Sequence, residues 1–118
     1  MTTIPCYLRT LRRQWGFTQR ELARLIGRGG PERVSDVERA KARPNAAEIL
    51  AYSVLFGESP ADIFPVLYEG VEERLIEAAY SLDEDLKDDP SERTNRIRKL
   101  LRQALARTTG KASNPVRP

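Results

Sequence analysis

The sequence predicts an all-α protein in which a five-helix bundle precedes a C-terminal two-helix appendage. Two capping boxes support the bundle, because Thr18 and Asn45 suit helix N-caps and each is followed three residues later by a glutamate. Two stretches nearer the C-terminus repeat apolar residues close to helical spacing. We therefore expect a first domain at 1–65, a helical hairpin at 66–107 and a disordered polar tail at 108–118.

The first helix is predicted at 6–15, because Gly16 suits a helix end. Leu8, Leu11 and Trp15 recur at helical spacing on this segment. We expect these three side chains to line the inner face of the helix.

The second helix is predicted at 18–26, with Gly27 as the residue that ends it. Leu22, Leu25 and Ile26 form one apolar stripe at helical spacing. We expect this stripe to face the core, and a glycine-rich turn to follow the helix.

The third helix is predicted at 31–40, because the fixed φ of Pro31 suits the first helical position. Val34 and Val37 would face inward, and the segment 39–43 leaves the end of the helix strongly basic. Two short helices joined by a tight turn, the second with a polar outer face, form a unit that presents side chains to a groove.

A fourth helix is predicted at 45–57 and a short fifth helix after it, with Ser59 as N-cap and Pro60 in its first turn. Pro65 is expected to end the bundle. The predicted core residues of these helices are Ile49, Leu50, Tyr52, Leu55, Ile63 and Phe64.

The sixth helix is predicted at 66–86, and the segment 87–90 then breaks the chain. The seventh helix would begin with Asp89 as N-cap, Pro90 at the first position and Glu92 completing a capping box. An acidic amphipathic helix followed by a basic one predicts an αα-hairpin with complementary charge.

The hairpin has three possible roles: an interface between two copies of the chain, a cap on its own bundle, or a basic contact with DNA or an anionic membrane surface. We favour the dimer interface. Its predicted residues are Leu75, Leu82, Ile97, Leu100, Leu101 and Leu105.

The charge of the chain is divided into three blocks. Residues 1–45 have a net charge of +6, residues 46–90 of −10 and residues 91–118 of +7, within a total of +3. The pair of short helices lies in the basic first block, which is where phosphate groups would be met.

Composition excludes several classes of function. The sequence contains no histidine, which excludes histidine catalysis and histidine metal sites, and it has no phosphate-cradling loop motif. Cys6 is the single cysteine, so it cannot form an internal disulfide, and we expect it to be a small buried hydrophobe. No apolar run approaches the length of a membrane span. We expect a cytoplasmic protein with no enzymatic activity, no cofactor and no metal.

The segment 7–65 resembles the phage-repressor and Cro-like (XRE-type) helix-turn-helix family, which has a lambda-repressor-like five-helix bundle. The matching residues are Leu11-Arg12, Gly16-Phe17-Thr18-Gln19, Glu21-Leu22-Ala23, Gly27, Val34-Ser35, Val37-Glu38, Lys41, Pro44, Leu55-Phe56-Gly57 and Ile63-Phe64. Two features depart from the family: the turn between Gly27 and Val34 is one residue longer, and Ala40 replaces the glycine that normally follows the third helix.

The resemblance implies a DNA-binding regulator whose third helix enters the major groove. It implies an ion pair between Arg12 and Glu38 that ties the first helix to the third, the alternative being two solvated surface charges. It also implies contacts with the DNA backbone at the start of the second helix and after the third. The predicted backbone contacts are Gln19, Arg13, Arg20, Arg28, Lys41 and Arg43.

With the two valines of the third helix inward, steps of about 100° per residue place two carboxylates at the centre of its outer face. The predicted base-reading residues are Glu32, Arg33, Ser35, Asp36 and Arg39. In one account the carboxylates accept hydrogen bonds from cytosine amino groups while an arginine reads guanine. In the other account the carboxylates are solvated, and this surface binds a protein or nothing.

The sequence thus predicts a sequence-specific transcriptional regulator, a homodimeric repressor that binds a palindromic operator in double-stranded DNA. A dimer is expected because the half-sites of such operators lie about 34 Å apart, or a multiple of that distance. The alternative is a protein-interaction module, of the antitoxin or adaptor type, on the same scaffold.

Overall fold

The computed structural model describes residues 6–27 and 29–113, and this part of the chain is all-α. Its seven helices are α1 Leu8–Trp15, α2 Gln19–Ile26, α3 Gly30–Glu38, α4 Ala46–Phe56, α5 Pro60–Ile63, α6 Pro65–Leu86 and α7 Glu92–Ser113. Five helices make the N-terminal bundle and two follow it. The predicted all-α fold with a two-helix appendage is therefore confirmed.

Both predicted capping boxes are present in the bundle. The Thr18 hydroxyl accepts a hydrogen bond from the Glu21 amide, and the Glu21 carboxylate accepts one from the Thr18 amide. That amide and the Thr18 hydroxyl hold the pKa of Glu21 below its ordinary value. Asn45 and Glu48 make the same two bonds at the start of α4. Each box satisfies amides that the first turn of a helix otherwise leaves unpaired.

The core of the N-terminal bundle draws on α1 to α5. Its buried hydrophobic residues are Cys6, Leu8, Leu22, Ala23, Val34, Val37, Tyr52, Ile63 and Phe64. Burial raises the pKa of the Cys6 thiol, as expected for a sulfur that packs as a hydrophobe. Tyr52 and Phe64 stack with a tilted geometry, their ring centroids 6.1 Å apart.

Several apolar residues predicted for the core are exposed instead. Leu25 is exposed because the buried side of α2 is the one that carries Leu22 and Ala23, and Leu25 points away from that side. Trp15, the last residue of α1, is exposed as well. In α4 the apolar residues surround the helix on all sides, so periodicity could not identify its inner face, and Leu50 points outward, as does Leu55.

The C-terminal helices differ from prediction at their ends. Pro65, predicted to end the bundle, is the first residue of α6, where its missing amide costs no hydrogen bond. By its internal contacts the chain divides into two compact units between Glu69 and Gly70, inside α6. Helix α7 continues to Ser113, past the predicted end of the hairpin at 107, and residues 114–118 of the predicted tail lie outside the described residues.

Helix α7 also begins later than predicted. Asp89 was expected as its N-cap, but the Ser91 hydroxyl accepts the hydrogen bond from the Thr94 amide. Asp89 instead accepts from the Ser91 amide and from the Thr94 hydroxyl. The hydrogen bond from the Ser91 amide is the main cause that lowers the pKa of Asp89. Pro90 therefore lies in the turn before the helix rather than at its first position.

Within the part of the chain that the structure describes, no helix combines the length and the apolar character that crossing a membrane requires.

Candidate nucleic-acid interface

Helix α3 is set into the bundle through Val34, Val37 and Glu38, which are all buried. It starts at Gly30 and follows Gly29, and both glycines adopt a left-handed backbone conformation with φ of 65°. A Cβ atom on Gly29 would lie 2.6 Å from the Cβ of Arg33, so a side chain there would collide with α3 itself. These two glycines provide the backbone for the longer turn that precedes the helix.

A buried carboxylate fixes the C-terminal end of α3 to two other helices. Arg12 of α1 donates from Nε to Glu38 Oε2 at 2.5 Å and from Nη2 to Glu38 Oε1 at 3.3 Å. Gln19 of α2 donates from Nε2 to the same Oε1 at 3.1 Å. Arg12 Nη1 also donates to the carbonyl of Phe17 in the α1–α2 turn. The expected Arg12–Glu38 contact is thus part of a network that orients α3.

The side-chain amide of Gln19 donates to Glu38, so this side chain helps to hold α3 in position. The sequence resemblance implied both a phosphate contact and a bracing role for this residue. Gln19 is the first residue of α2, so its backbone amide is one of the donors that the first turn of a helix leaves unpaired. Any phosphate contact of Gln19 would therefore use the main chain more readily than the side chain.

A basic cleft lies beside this network and has a volume of about 530 Å³. Its lining residues are Arg9, Arg12, Arg13, Gln19, Ser35, Glu38 and Arg39. Arg9, Arg13 and Arg39 are exposed, and no carboxylate among the described residues forms an ion pair with them. The charge of Glu38 is already offset by Arg12, so the cleft carries an excess of positive charge.

Arg9 was absent from the site predicted by sequence. It is one helical turn from Arg13 on α1, so their spacing alone would have placed both on one face of the helix. The sequence does not show that this face of α1 lies beside α3, where the folded structure places it.

The outer surface of α3 has the acidic centre that the helical spacing predicted. Glu32 is exposed, while Asp36 and Ser35 are partly exposed. Arg39 follows directly after α3, is exposed and lines the cleft. The structure therefore leaves all five predicted base-reading side chains at least partly accessible, but the guanidinium of one of them is bonded to a neighbouring helix.

Arg33 is the exception among the predicted base-reading residues. Its guanidinium donates from Nε to Glu48 Oε2 at 2.9 Å and from Nη2 to Glu48 Oε1 at 2.6 Å. Nη2 also donates to the carbonyl of Arg43 at 2.9 Å. Because Glu48 is buried and needs a cation, the fork of Arg33 turns away from the outer face of α3. The Arg33 guanidinium is thus bonded to Glu48 and to the Arg43 carbonyl, and its base-reading role stays a prediction.

No local pattern in the sequence indicates the Arg33–Glu48 pair. Glu48 was identified only as the capping-box acid of α4, although a carboxylate in that role can accept further hydrogen bonds. The two residues are joined only when α3 packs against the start of α4.

The loop between α3 and α4 carries two exposed cations, Lys41 and Arg43. Ala40 lies at its start with φ of 60°, a left-handed conformation that glycine adopts with less strain. The amides of Lys41 and Ala42 both donate to the carbonyl of Asp36, so the loop is folded against the end of α3. Ala40 thus adopts a conformation that favours glycine, the residue that the resembling family normally has here.

Two of the remaining predicted backbone contacts, Arg13 and Arg20, are exposed on α1 and α2. Arg28 lies outside the described residues. Among the residues the structure describes, no group of three histidine, cysteine, aspartate or glutamate side chains is placed to hold a metal ion.

Comparison with known proteins agrees with this arrangement. Residues 6–63, which contain α1 to α5, match a family model described as a helix-turn-helix domain. Neither a curated protein nor a solved structure matches the chain. The match is consistent with the XRE-type resemblance of the sequence. Residues 6–63 of this chain therefore belong to the helix-turn-helix domain family.

Proposed function

We propose that the protein is a sequence-specific DNA-binding regulator, a dimeric repressor that inserts α3 into the major groove of a palindromic operator. The observation that carries this proposal is the position of α3. Glu38 at one end of the helix is held by Arg12 and Gln19, and Arg33 on another side is held by Glu48. A helix fixed from two sides, with a polar outer surface, can read base edges with a defined orientation.

Basic groups around α3 support binding to phosphate. The cleft brings Arg9, Arg13 and Arg39 to one side of the helix, and the loop after it exposes Lys41 and Arg43. In the proposed complex these groups contact the DNA backbone together with Arg20. Such contacts supply affinity and position the helix, but they do not select a sequence.

Sequence selection falls to the side chains on the outer surface of α3. We assign it to Glu32, Ser35, Asp36 and Arg39, and we remove Arg33 from this group because it is bonded to Glu48. A carboxylate accepts from the amino group of cytosine, and an arginine donates to guanine. Each good bidentate contact contributes about 1–3 kcal/mol of discrimination.

The remaining part of the proposal concerns assembly and location. Residues 66–107 serve as the dimerisation element and 1–65 as the DNA-binding domain, in a protein that acts in the cytoplasm and catalyses no reaction. A two-fold dimer would present two copies of α3 to half-sites about 34 Å apart or a multiple of that spacing.

Duplex binding measured against salt tests the proposal. The logarithm of the binding constant should fall linearly with the logarithm of salt concentration, with a slope of about −0.9 per phosphate contact. Arg43→Ala should reduce that slope without changing site preference, whereas Glu32→Ala or Asp36→Ala should change the preferred bases. Arg24→Ala is the matched control, since Arg24 is exposed on α2 but does not line the cleft. Absence of duplex binding at low salt would contradict the proposal.

The acidic centre of α3 favours one other function. Glu32 and Asp36 repel phosphate, and in a protein-interaction module of the antitoxin or adaptor type they would bind a basic surface of another protein. A selection of duplexes from a random library separates the two functions. Enrichment of one sequence supports DNA reading, whereas no enrichment combined with no salt-dependent duplex binding supports the module.

A further inference from the structure

The centre of the outer surface of α3 presents hydrogen-bond acceptors rather than donors. Val34, Val37 and Glu38 mark the buried side of the helix. At about 100° per residue, the middle of the opposite side lies between Glu32 and Asp36. Glu32 is exposed and Asp36 is partly exposed, and neither forms an ion pair with a residue that the structure describes. An ionised carboxylate can only accept hydrogen bonds, so this part of the surface brings no proton of its own.

The arginines nearest to the two carboxylates are directed elsewhere. Arg33 donates to Glu48 from both Nε and Nη2, so its guanidinium is held against α4. Arg39 follows the C-terminal end of α3 and lines the basic cleft, so it lies at the end of the surface rather than at its centre. Ser35 adds a hydroxyl, which can either donate or accept. Among the described residues, the centre of the surface therefore has no free guanidinium to donate to a base.

An acceptor surface in the major groove distinguishes the four bases. Guanine presents two acceptors there, N7 and O6, and thymine presents the acceptor O4, so both repel a carboxylate. Cytosine presents the amino group N4, and adenine presents the amino group N6 beside the acceptor N7. At adenine the second oxygen of a carboxylate meets N7, whereas cytosine has no acceptor next to its amino group. A carboxylate therefore favours cytosine over the other three bases.

The same carboxylates also oppose binding to the wrong sequence. Entry into the groove removes water from the carboxylate and brings it towards the phosphates, and both effects are unfavourable. An amino group that donates to the carboxylate offsets this cost, whereas a wrong base leaves the charge unpaired. The cations of the cleft raise affinity for every duplex, and the carboxylates then lower it for duplexes without the right bases.

We propose that α3 selects its half-site by the amino groups of two cytosines, one bonded to Glu32 and one to Asp36, and that a methyl group on either N4 blocks the contact. This inference rests on the proposed DNA-binding function and specifies the bases that the site takes. The two residues are separated by about 6 Å along the helix axis. Because bases stack about 3.4 Å apart, the two cytosines lie at neighbouring positions or have one base pair between them.

Selection from a random duplex library with the full chain, followed by affinity measurements on single sites, tests the proposal. The original chain should enrich cytosine at two positions that are at most two base steps apart. Glu32→Gln and Asp36→Asn should each shift one of these positions towards adenine, because an amide accepts from N6 and donates to N7. The ratio of cytosine to adenine affinity at that position should fall at least about fivefold.

Glu58→Gln is the matched control, since Glu58 is exposed and lies after α4 rather than on α3. It removes the same charge from the chain and should leave the preferred bases unchanged. Circular dichroism should show the same helix content in all three variants.

A modified base tests the hydrogen bond itself. N4-methylcytosine keeps the N–H that pairs with guanine and carries a methyl group in place of the N–H that faces the major groove. At either selected position it should weaken binding of the original chain at least about fivefold. The same modification at a cytosine outside the selected positions should have no effect. An unchanged affinity at both selected positions would overturn the proposed contact.

The outcomes separate this inference from the proposed function. Salt-dependent duplex binding without cytosine enrichment, or with the same preferred bases in both amide variants, overturns the inference and leaves DNA binding standing. A chain that binds no duplex at low salt contradicts the proposed function and this inference together.

Discussion

Arg33 and Glu48 form a bidentate ion pair that joins α3 to the start of α4, with the shortest contact 2.6 Å from Nη2 to Oε1. The side chain of Glu48 is 1% exposed and that of Arg33 is 29% exposed. The same guanidinium reaches the carbonyl of Arg43, so one residue holds α3, α4 and the loop between them. We therefore regard Arg33 as a positioning residue for the proposed DNA contacts.

Arg33→Ala should lower the free energy of unfolding by about 2 kcal/mol, because it removes two charge-assisted hydrogen bonds from a buried carboxylate. Arg33→Lys should cost less, since it keeps the charge but loses the fork. Urea denaturation measures both effects. Arg39→Ala should change the free energy by less than about 0.5 kcal/mol, because Arg39 is exposed and forms no ion pair with any residue that the structure describes. Equal losses for Arg33→Ala and Arg39→Ala would show that the pair with Glu48 does not stabilise the fold.

Ala40→Gly should stabilise the protein by about 1 kcal/mol, because Ala40 has a φ of 60° and glycine adopts this conformation without the Cβ clash. The gain should appear as a higher urea midpoint with an unchanged slope. Ala42→Gly serves as the control, since Ala42 has no left-handed φ, and it should bring no gain. A lower midpoint for Ala40→Gly would mean that the strain at this residue is negligible.

Tyr52 should make stability fall at high pH. Its side chain is fully buried, and burial raises its pKa from 10 to about 12. The folded state binds the proton of the Tyr52 hydroxyl more tightly than the unfolded state does. The free energy that this proton contributes to folding is therefore fully present below pH 10 and is lost as pH rises from 10 to about 12. Urea midpoints at pH 8 and pH 11 measure the loss, and Tyr52→Phe should reduce it.

The same Tyr52→Phe variant should keep or increase stability at neutral pH. No group among the described residues makes a hydrogen bond with the Tyr52 hydroxyl, so phenylalanine removes a buried polar group that lacks a partner. Tyr80→Phe is the matched control, because Tyr80 is exposed. A large loss of stability at neutral pH would reveal a bonded water or another partner of the hydroxyl.

Arg9→Ala should weaken duplex binding and make the salt slope less steep by about 0.9, if its side chain neutralises one phosphate at the cleft. The preferred base sequence should stay the same, because a phosphate contact carries no base information. Fluorescence anisotropy with labelled duplex measures both, with Arg24→Ala as the matched surface arginine. An unchanged slope would place Arg9 outside the contact.

Local signals in the sequence were enough to predict much of the fold. Thr18 with Glu21 and Asn45 with Glu48 identified two helix starts, because capping depends on neighbouring residues alone. The start of α7 was misplaced since Asp89 also suits a cap, and only the hydrogen bonds distinguish it from Ser91.

The candidate site was harder to predict because it depends on packing between helices. Helical spacing placed Glu32 and Asp36 on the outer surface of α3, where the structure has them. The sequence also grouped Arg33 with the base-reading residues, because helical spacing cannot show that its guanidinium bonds to Glu48 on another helix. Arg9 was missed for a similar reason, since its place in the cleft depends on how α1 lies beside α3.

The carboxylate shared by three helices has a consequence for how the domain opens. Glu38 of α3 holds Arg12 of α1 and Gln19 of α2, so detaching α1 or α3 leaves a buried ionic group unpaired, and detaching α2 removes a hydrogen bond from the buried carboxylate. Native-state amide exchange should therefore show α1, α2 and α3 losing protection together, at one common opening free energy. In Glu38→Gln, α1 should begin to exchange independently of the other two helices.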